Sequence, residues 1–160
     1  NFHGDPSAGV LVKFENCSFP KGRQGSRQNA SEAKRIAAYL RANTPADVAI
    51  LTPYKAQVEC LKSVVPPAYR DAVRTIHASQ GQEYDTVILS VCDAANMFFT
   101  DCFSKKSNGR AVMNTAISRA KHELVLFCDV AFWSTQSRQL IKGLLDVAVG
   151  GDRDAHLQNQ

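Results

Sequence analysis

Three short polar segments stand at the ends of apolar runs, and their residue types suit phosphate and nucleic-acid chemistry. In the first, Thr52-Pro53-Tyr54 follows Asp47-Val-Ala-Ile-Leu51. Thr52 can cap a helix whose first turn Pro53 suits. Such a helix start presents free N–H groups and the positive end of the helix dipole, a natural phosphate site. Thr52 adds a hydroxyl donor, and the Tyr54 ring could stack on a base or sugar. Alone, the segment reads first as an ordinary capped helix with Tyr54 half buried.

The second segment, Thr75-Ile-His-Ala-Ser-Gln-Gly-Gln-Glu-Tyr-Asp85, is denser. Strand alternation would set Val73, Thr75 and His77 on one face, with Arg74 and Ile76 on the other. Gly81 leaves room for a ligand to approach the backbone, and Glu83 could accept from sugar hydroxyls. Singly, His77 reads as a structural histidine and Glu83 as an exposed loop acid. Together, so many polar groups between two apolar strands exceed what packing needs. The third segment, Asn114-Thr-Ala-Ile-Ser-Arg-Ala-Lys121, lies on a helix whose apolar positions Val112, Met113, Ala116, Ile117 and Ala120 face a core. Thr115, Ser118, Arg119 and His122 are left towards another side, where the planar fork of Arg119 could reach a phosphate. The competing reading is an exposed arginine paired with a nearby acid.

The elements that must position these groups alternate along the chain. Gly9–Phe14 reads as a strand, and 21–28 as a polar, Gly-rich loop. Asn29 with Glu32 has the form of a helix start, continued by Ala33, Ile36, Ala37 and Leu40 to the break at Pro45. Asp47–Leu51 is a strand buried on both faces, and Val58, Leu61 and Val65 mark the next helix. Val73–His77, Thr86–Val91 and Glu123–Cys128 read as further strands, and Leu140, Ile141, Leu144 and Leu145 as a last helix. Between Asp93 and Asn108 the periodicity lapses; Phe98, Phe99 and Phe103 are expected to cover the core, with Lys105 and Lys106 exposed and no role assigned to the segment. Residues 1–150 form one domain, expected to be a piece of a longer protein, and 151–160 a polar, frayed tail. The alternation predicts a three-layer α/β domain, with a mostly parallel sheet covered on both faces by helices. In such sheets ligands bind beyond the carboxyl ends of the strands.

Composition narrows the chemistry. The 160 residues are 44% hydrophobic and 21% charged, with a net charge of +4. That is enough apolar sequence for one core and excludes a disordered chain. No apolar run approaches the ~18 residues of a membrane span, so no membrane partner is expected. Five dispersed cysteines without a CxxC pair predict reduced thiols, no metal site and a cytoplasmic setting, or a nuclear one in a eukaryote. Between Lys13 and Asn43 there are seven basic and two acidic residues, and between Phe99 and Glu123 five and two; both patches suit a polyanion. No GxxxxGK[ST] loop occurs, no strand ends in a magnesium-holding acidic pair, and neither GxSxG nor HExxH is present. Handling of ATP would therefore need a second domain.

Three blocks, in order, resemble the second RecA-like domain of superfamily-one helicases, nearest the branch that contains the nonsense-mediated-decay helicase. They are Ile50–Gln57, Thr75–Ser90 and Asn114–Asp129. The resemblance implies a RecA-like, P-loop NTPase-type fold. It places Thr52, Pro53, Tyr54, Gln57, Thr75 and His77 on the nucleic-acid strand. It sets Gly81 and Glu83 near the nucleotide ribose, and makes Arg119 the catalytic arginine finger facing a γ-phosphate. Gln82 stands where relatives usually carry a basic residue, and the family's aromatic-Arg-Met block would fall before Asn1. The implied function is the C-terminal motor half of an ATP-dependent DNA or RNA helicase. ATP and Mg2+ would be held mainly by the first RecA-like domain of the same chain, with single-stranded DNA or RNA as partner. The fragment, lacking Walker A and Walker B, is expected to be inactive alone. The alternative is a helicase-like module that binds nucleic acid without turnover.

Overall fold

The computed structural model describes residues 9–17, 27–79 and 81–150. The loop expected over 21–28 and the tail over 151–160 therefore lie largely outside the described residues. Six strands form one sheet in the order β3-β2-β4-β5-β1-β6, with every pairing parallel. They are β1 (Leu11–Asn16), β2 (Val48–Thr52), β3 (Val73–Thr75), β4 (Tyr84–Ser90), β5 (Ala120–Cys128) and the two-residue β6 (Val149–Gly150). The helices are α1 (Ala30–Asn43), α2 (Lys55–Lys62), α3 (Gly109–Ser118), α4 (Val130–Trp133) and α5 (Leu140–Val147).

The strand order decides which face each helix covers. From β1 to β2 and from β2 to β3 the chain moves one way across the sheet. From β4 to β5 and from β5 to β6 it moves the other way. Right-handed crossovers then put α1 and α2 on one face and α3, α4 and α5 on the opposite one. The two cores match. Ile50, Ile88, Val125 and Phe127 pack with Ile36, Leu40, Val58 and Leu61. Their alternates Leu51, Leu89, Leu124 and Leu126 pack with Met113, Ala116, Trp133 and Leu144. Both faces of each central strand are apolar because both are covered, and the expected three-layer α/β domain is what forms.

Several local expectations change. Asn29 does cap α1, its Oδ1 accepting from Glu32 N at 3.0 Å. The Glu32 side chain, however, points into the core instead of closing a capping box. Thr52 stays in β2, and Tyr54 is the residue that precedes α2. The residue before a proline is held extended, which keeps Thr52 in the strand. β3 stops at Thr75, and His77 opens a short 3-10 turn to Ser79. Thr75 Oγ1 accepts from Ala78 N at 3.2 Å and turns the chain there, so His77 does not share a strand face with Val73. His122 lies on β5, not on α3. Phe99 packs against the core as expected and Phe98 is half-buried, but Phe103 is 51% exposed. Among the described residues no helix is long and apolar enough to cross a membrane.

Candidate nucleic-acid and nucleotide rims

The predicted site residues fall at opposite ends of the sheet. Thr52 and Thr75 are register partners at the carboxyl ends of β2 and β3, and Ile76 N donates to Thr52 O at 3.0 Å. Pro53 and Tyr54 follow directly. Tyr54 Oη donates to Asp93 Oδ2 at 2.5 Å and accepts from Phe99 N at 3.1 Å. Its ring sits 5.6 Å from Phe99, whose ring lies 5.4 Å from His77. The exposed His77 thus joins Tyr54 through Phe99, along one aromatic rim.

Asp93 organises this end. Its carboxylate also accepts from Thr100 Oγ1 and Arg27 Nη1, both at 2.6 Å, while its backbone oxygen accepts from Trp133 Nε1 at 2.8 Å. Arg27 lies over the Tyr54 ring at 5.0 Å and donates to Asn96 O as well. Tyr54 is 7% exposed. Burial, then the neighbouring Asp93 carboxylate, pushes the phenol's pKa far up, so it acts as a hydrogen-bond donor across all working pH. A base reaches its ring only after Arg27 moves. Asp93 marks a strand end in the sequence, but its bond to Tyr54, 39 positions away, has no local signal.

Thr52 and Gln57 are both fully buried. Gln57 Oε1 accepts from Asn29 N at 2.8 Å, and its Nε2 donates to Asn29 O at 3.2 Å and Ser90 Oγ at 3.1 Å. Its amide thus ties α1, α2 and β4 together beneath the rim. Ser90 Oγ donates in turn to Glu32 Oε1 at 2.5 Å, which also accepts from Cys92 N at 2.8 Å. Burial raises the Glu32 pKa to about 8, against the pull of those two hydrogen bonds.

Gly81, Glu83 and Arg119 lie at the other end, where β4 and β5 begin. Tyr84 pairs with Ala120, and Tyr84 N donates to Arg119 O at 2.8 Å. Gly81 has φ +82°, with open space where a Cβ would stand. Arg119 Nη1 donates to Gln82 O at 3.2 Å. Arg119 Nε is the one buried side-chain nitrogen or oxygen among the described residues without a hydrogen-bond partner. A buried donor left unmatched is costly, and an anionic oxygen in front of the guanidinium would satisfy it. Glu83 is exposed, one residue before β4 begins. The strand-end expectation thus holds for Thr52–Tyr54 and Thr75, whereas this group sits at the amino ends.

A family model described as AAA domain (AAA_12) matches residues 6–131, and the chain belongs to that family. It is 32% identical over 77 residues to the RecBCD enzyme subunit RecD of Haemophilus influenzae. That match covers 48% of this chain and 11% of the relative, so the chain spans a small part of that protein. A solved structure, the C-terminal domain of a possible DNA helicase from Lactobacillus plantarum, aligns at TM-score 0.45 and 18% identity, over 75% of this chain and 73% of that one.

Proposed function

We propose that this AAA-domain chain is the second, C-terminal RecA-like domain of an ATP-dependent helicase, nearest the nonsense-mediated-decay helicase branch of superfamily one. The observation that carries the reading is Arg119, held beside the Gly81 turn with a buried, unmatched Nε. Phosphoryl transfer is promoted by positioning and charge neutralisation, and an arginine from a second domain suits that role. The residues at the amino rim fit the outer half of a nucleotide site: Gly81 admits a close approach, Glu83 can accept from ribose hydroxyls, and Arg119 can meet a terminal phosphate. ATP with Mg2+, held mainly by the first domain of the same chain, supplies the phosphoryl group and the metal chemistry.

At the far rim, Thr75 and His77 contact the backbone of single-stranded DNA or RNA. Thr52, Pro53 and Tyr54 shape that groove, and Gln57 fixes its floor. Opening and closing of the cleft at the amino rim carries the carboxyl rim along the strand. The RecD match and the order of the three sequence blocks support this reading. Its test is strand-stimulated ATP turnover by the full-length protein. Arg119→Ala is expected to lower turnover on the order of 10³-fold while ATP binding persists. Unchanged turnover, or no stimulated turnover in the unaltered protein, rejects the proposal.

A further inference from the structure

Phe103 is 51% exposed, and among the described residues it is the one Phe, Tyr or Trp ring so exposed, the other exposed large hydrophobics being the aliphatic Leu11, Val147 and Val149. Its exposure does not come from a loosely held loop. Phe103 N donates to Asp101 Oδ1 at 2.9 Å. Gln139 then bridges the stem, its Oε1 accepting from Cys102 N and its Nε2 donating to Asp101 Oδ1, both at 2.9 Å. Gly109 seals the base: a Cβ there would lie 2.0 Å from Asp101 O. The ring is therefore presented on a rigid stem, with its ordering entropy already spent in folding.

Cations surround it. The guanidinium groups of Arg110 and Arg138 lie over the ring, 5.9 and 5.7 Å from its centroid, and Lys105 and Lys106 are exposed on the same loop. Across 94–110 and 130–140 there are these four cations and one carboxylate, Asp101. The Asp101 carboxylate is engaged by Phe103 N and Gln139 and forms no ion pair with any of the four. A lone hydrophobic patch would suit many partners. An exposed ring inside an excess of fixed positive charge suits one that offers both a flat π-face and a phosphate, the combination found in single-stranded nucleic acid. The loop also continues the segment that carries Phe98 and Phe99, whose rings meet 5.0 Å apart, and Phe99 belongs to the carboxyl rim.

We infer that Phe103, with Arg110, Arg138, Lys105 and Lys106, forms a second stacking platform for single-stranded nucleic acid, lengthening the strand path at the carboxyl rim. A base stacks on a guanidinium plane that lies over the ring, or on the ring itself once an arginine swings aside, and the lysines meet flanking phosphates. This rests on the reading of the carboxyl rim as a strand-binding surface.

The test is fluorescence anisotropy of the full-length protein with labelled oligothymidylate and oligouridylate, without nucleotide, across a salt series. Phe103→Ala is expected to weaken binding about tenfold and Phe103→Trp to retain it. The Phe103→Ala salt slope should match that of the unaltered protein. Replacing Lys105 and Lys106 by Gln should weaken binding and flatten the slope by about 0.7 of a unit for each phosphate no longer neutralised. Because Phe103 is exposed, Phe103→Ala should melt as the unaltered protein does. If the unaltered protein binds strand and Phe103→Ala binds within about twofold of it, well short of the loss expected for a stacked base, the platform is wrong and the proposed function stands. If the unaltered protein binds neither oligonucleotide, both fall, and an acidic protein becomes the partner to seek.

Discussion

The two rims of the sheet are built in opposite ways. At the carboxyl rim the buried polar groups already have partners within the chain: Asp93 gathers Tyr54, Thr100 and Arg27, and Gln57 makes three hydrogen bonds beneath them. At the amino rim Gly81 and Glu83 are exposed and Arg119 keeps a buried donor unmatched. The first rim is finished by this chain alone and offers its outer surface. The second leaves Arg119 Nε unmatched, the form expected of the half-site proposed above. A surface that grips a polymer without regard to sequence gains from being preformed. A site that reacts once per cycle gains from being assembled and taken apart.

The widest separation of the rims is expected from single substitutions read in two assays on the full-length protein. Arg119→Ala should lower turnover on the order of 10³-fold and leave strand affinity within about twofold. His77→Ala should do the reverse, weakening strand binding several-fold with basal turnover retained. If either substitution moved both quantities together, the two rims would be one site.

The finished rim should next show itself in stability. Asp93→Ala leaves the Tyr54 and Thr100 hydroxyls without their acceptor and removes the carboxylate partner of Arg27. Its side chain is 2% exposed, so water cannot take the place of the carboxylate, and a cost of about 3 kcal/mol is expected in denaturant unfolding. Gly109→Ala comes next. The added methyl meets a backbone carbonyl, not a flexible side chain, and overpacking of this kind costs about 2 kcal/mol.

How much of this was legible in the sequence follows the range of the forces involved. The central strands β2, β4 and β5 were legible because burial on both faces leaves a continuous apolar run. The Asn29 cap was legible because its partner is three residues away. The early starts of β4 and β5 were not, since Asp85, Lys121 and His122 are exposed and carry no apolar signature. Phe103 was expected to cover the core because hydropathy alone cannot distinguish an exposed ring from a buried one. The three site segments were visible as polar clusters. Their division between two ends was hidden, because it depends on how the chain returns from the carboxyl end of β3 to the amino end of β4.

Glu32 lies beneath the carboxyl rim and gives it a pH dependence. Its pKa is about 8 in the folded protein against an ordinary 4.5, so between those values the folded state holds the proton that the unfolded chain releases. Stability then falls as pH rises through that window, by up to about 1.4 kcal/mol per pH unit. It levels off above about pH 8. Glu32→Gln keeps an acceptor for Ser90 and Cys92 without the charge, and should flatten the slope. A slope that persists in the variant would assign the titration to another group.

The smallest effect separates the rims most cleanly, because each has an aspartate. Asp85, at the start of β4, lies 3.1 Å from His122 Nδ1 and 3.6 Å from Lys121 Nζ. Its side chain is 51% exposed, so solvent screens both pairs and takes their place on truncation. Its backbone N–H donates to Asp47 Oδ2 at 3.0 Å, a bond that survives truncation. Asp85→Ala is therefore expected to cost less than ~0.5 kcal/mol, and that difference should vanish by about 0.5 M salt. A cost approaching that of Asp93→Ala would mean the amino rim is as interlocked as the carboxyl rim. It would then lack the freedom to complete a site with a second domain.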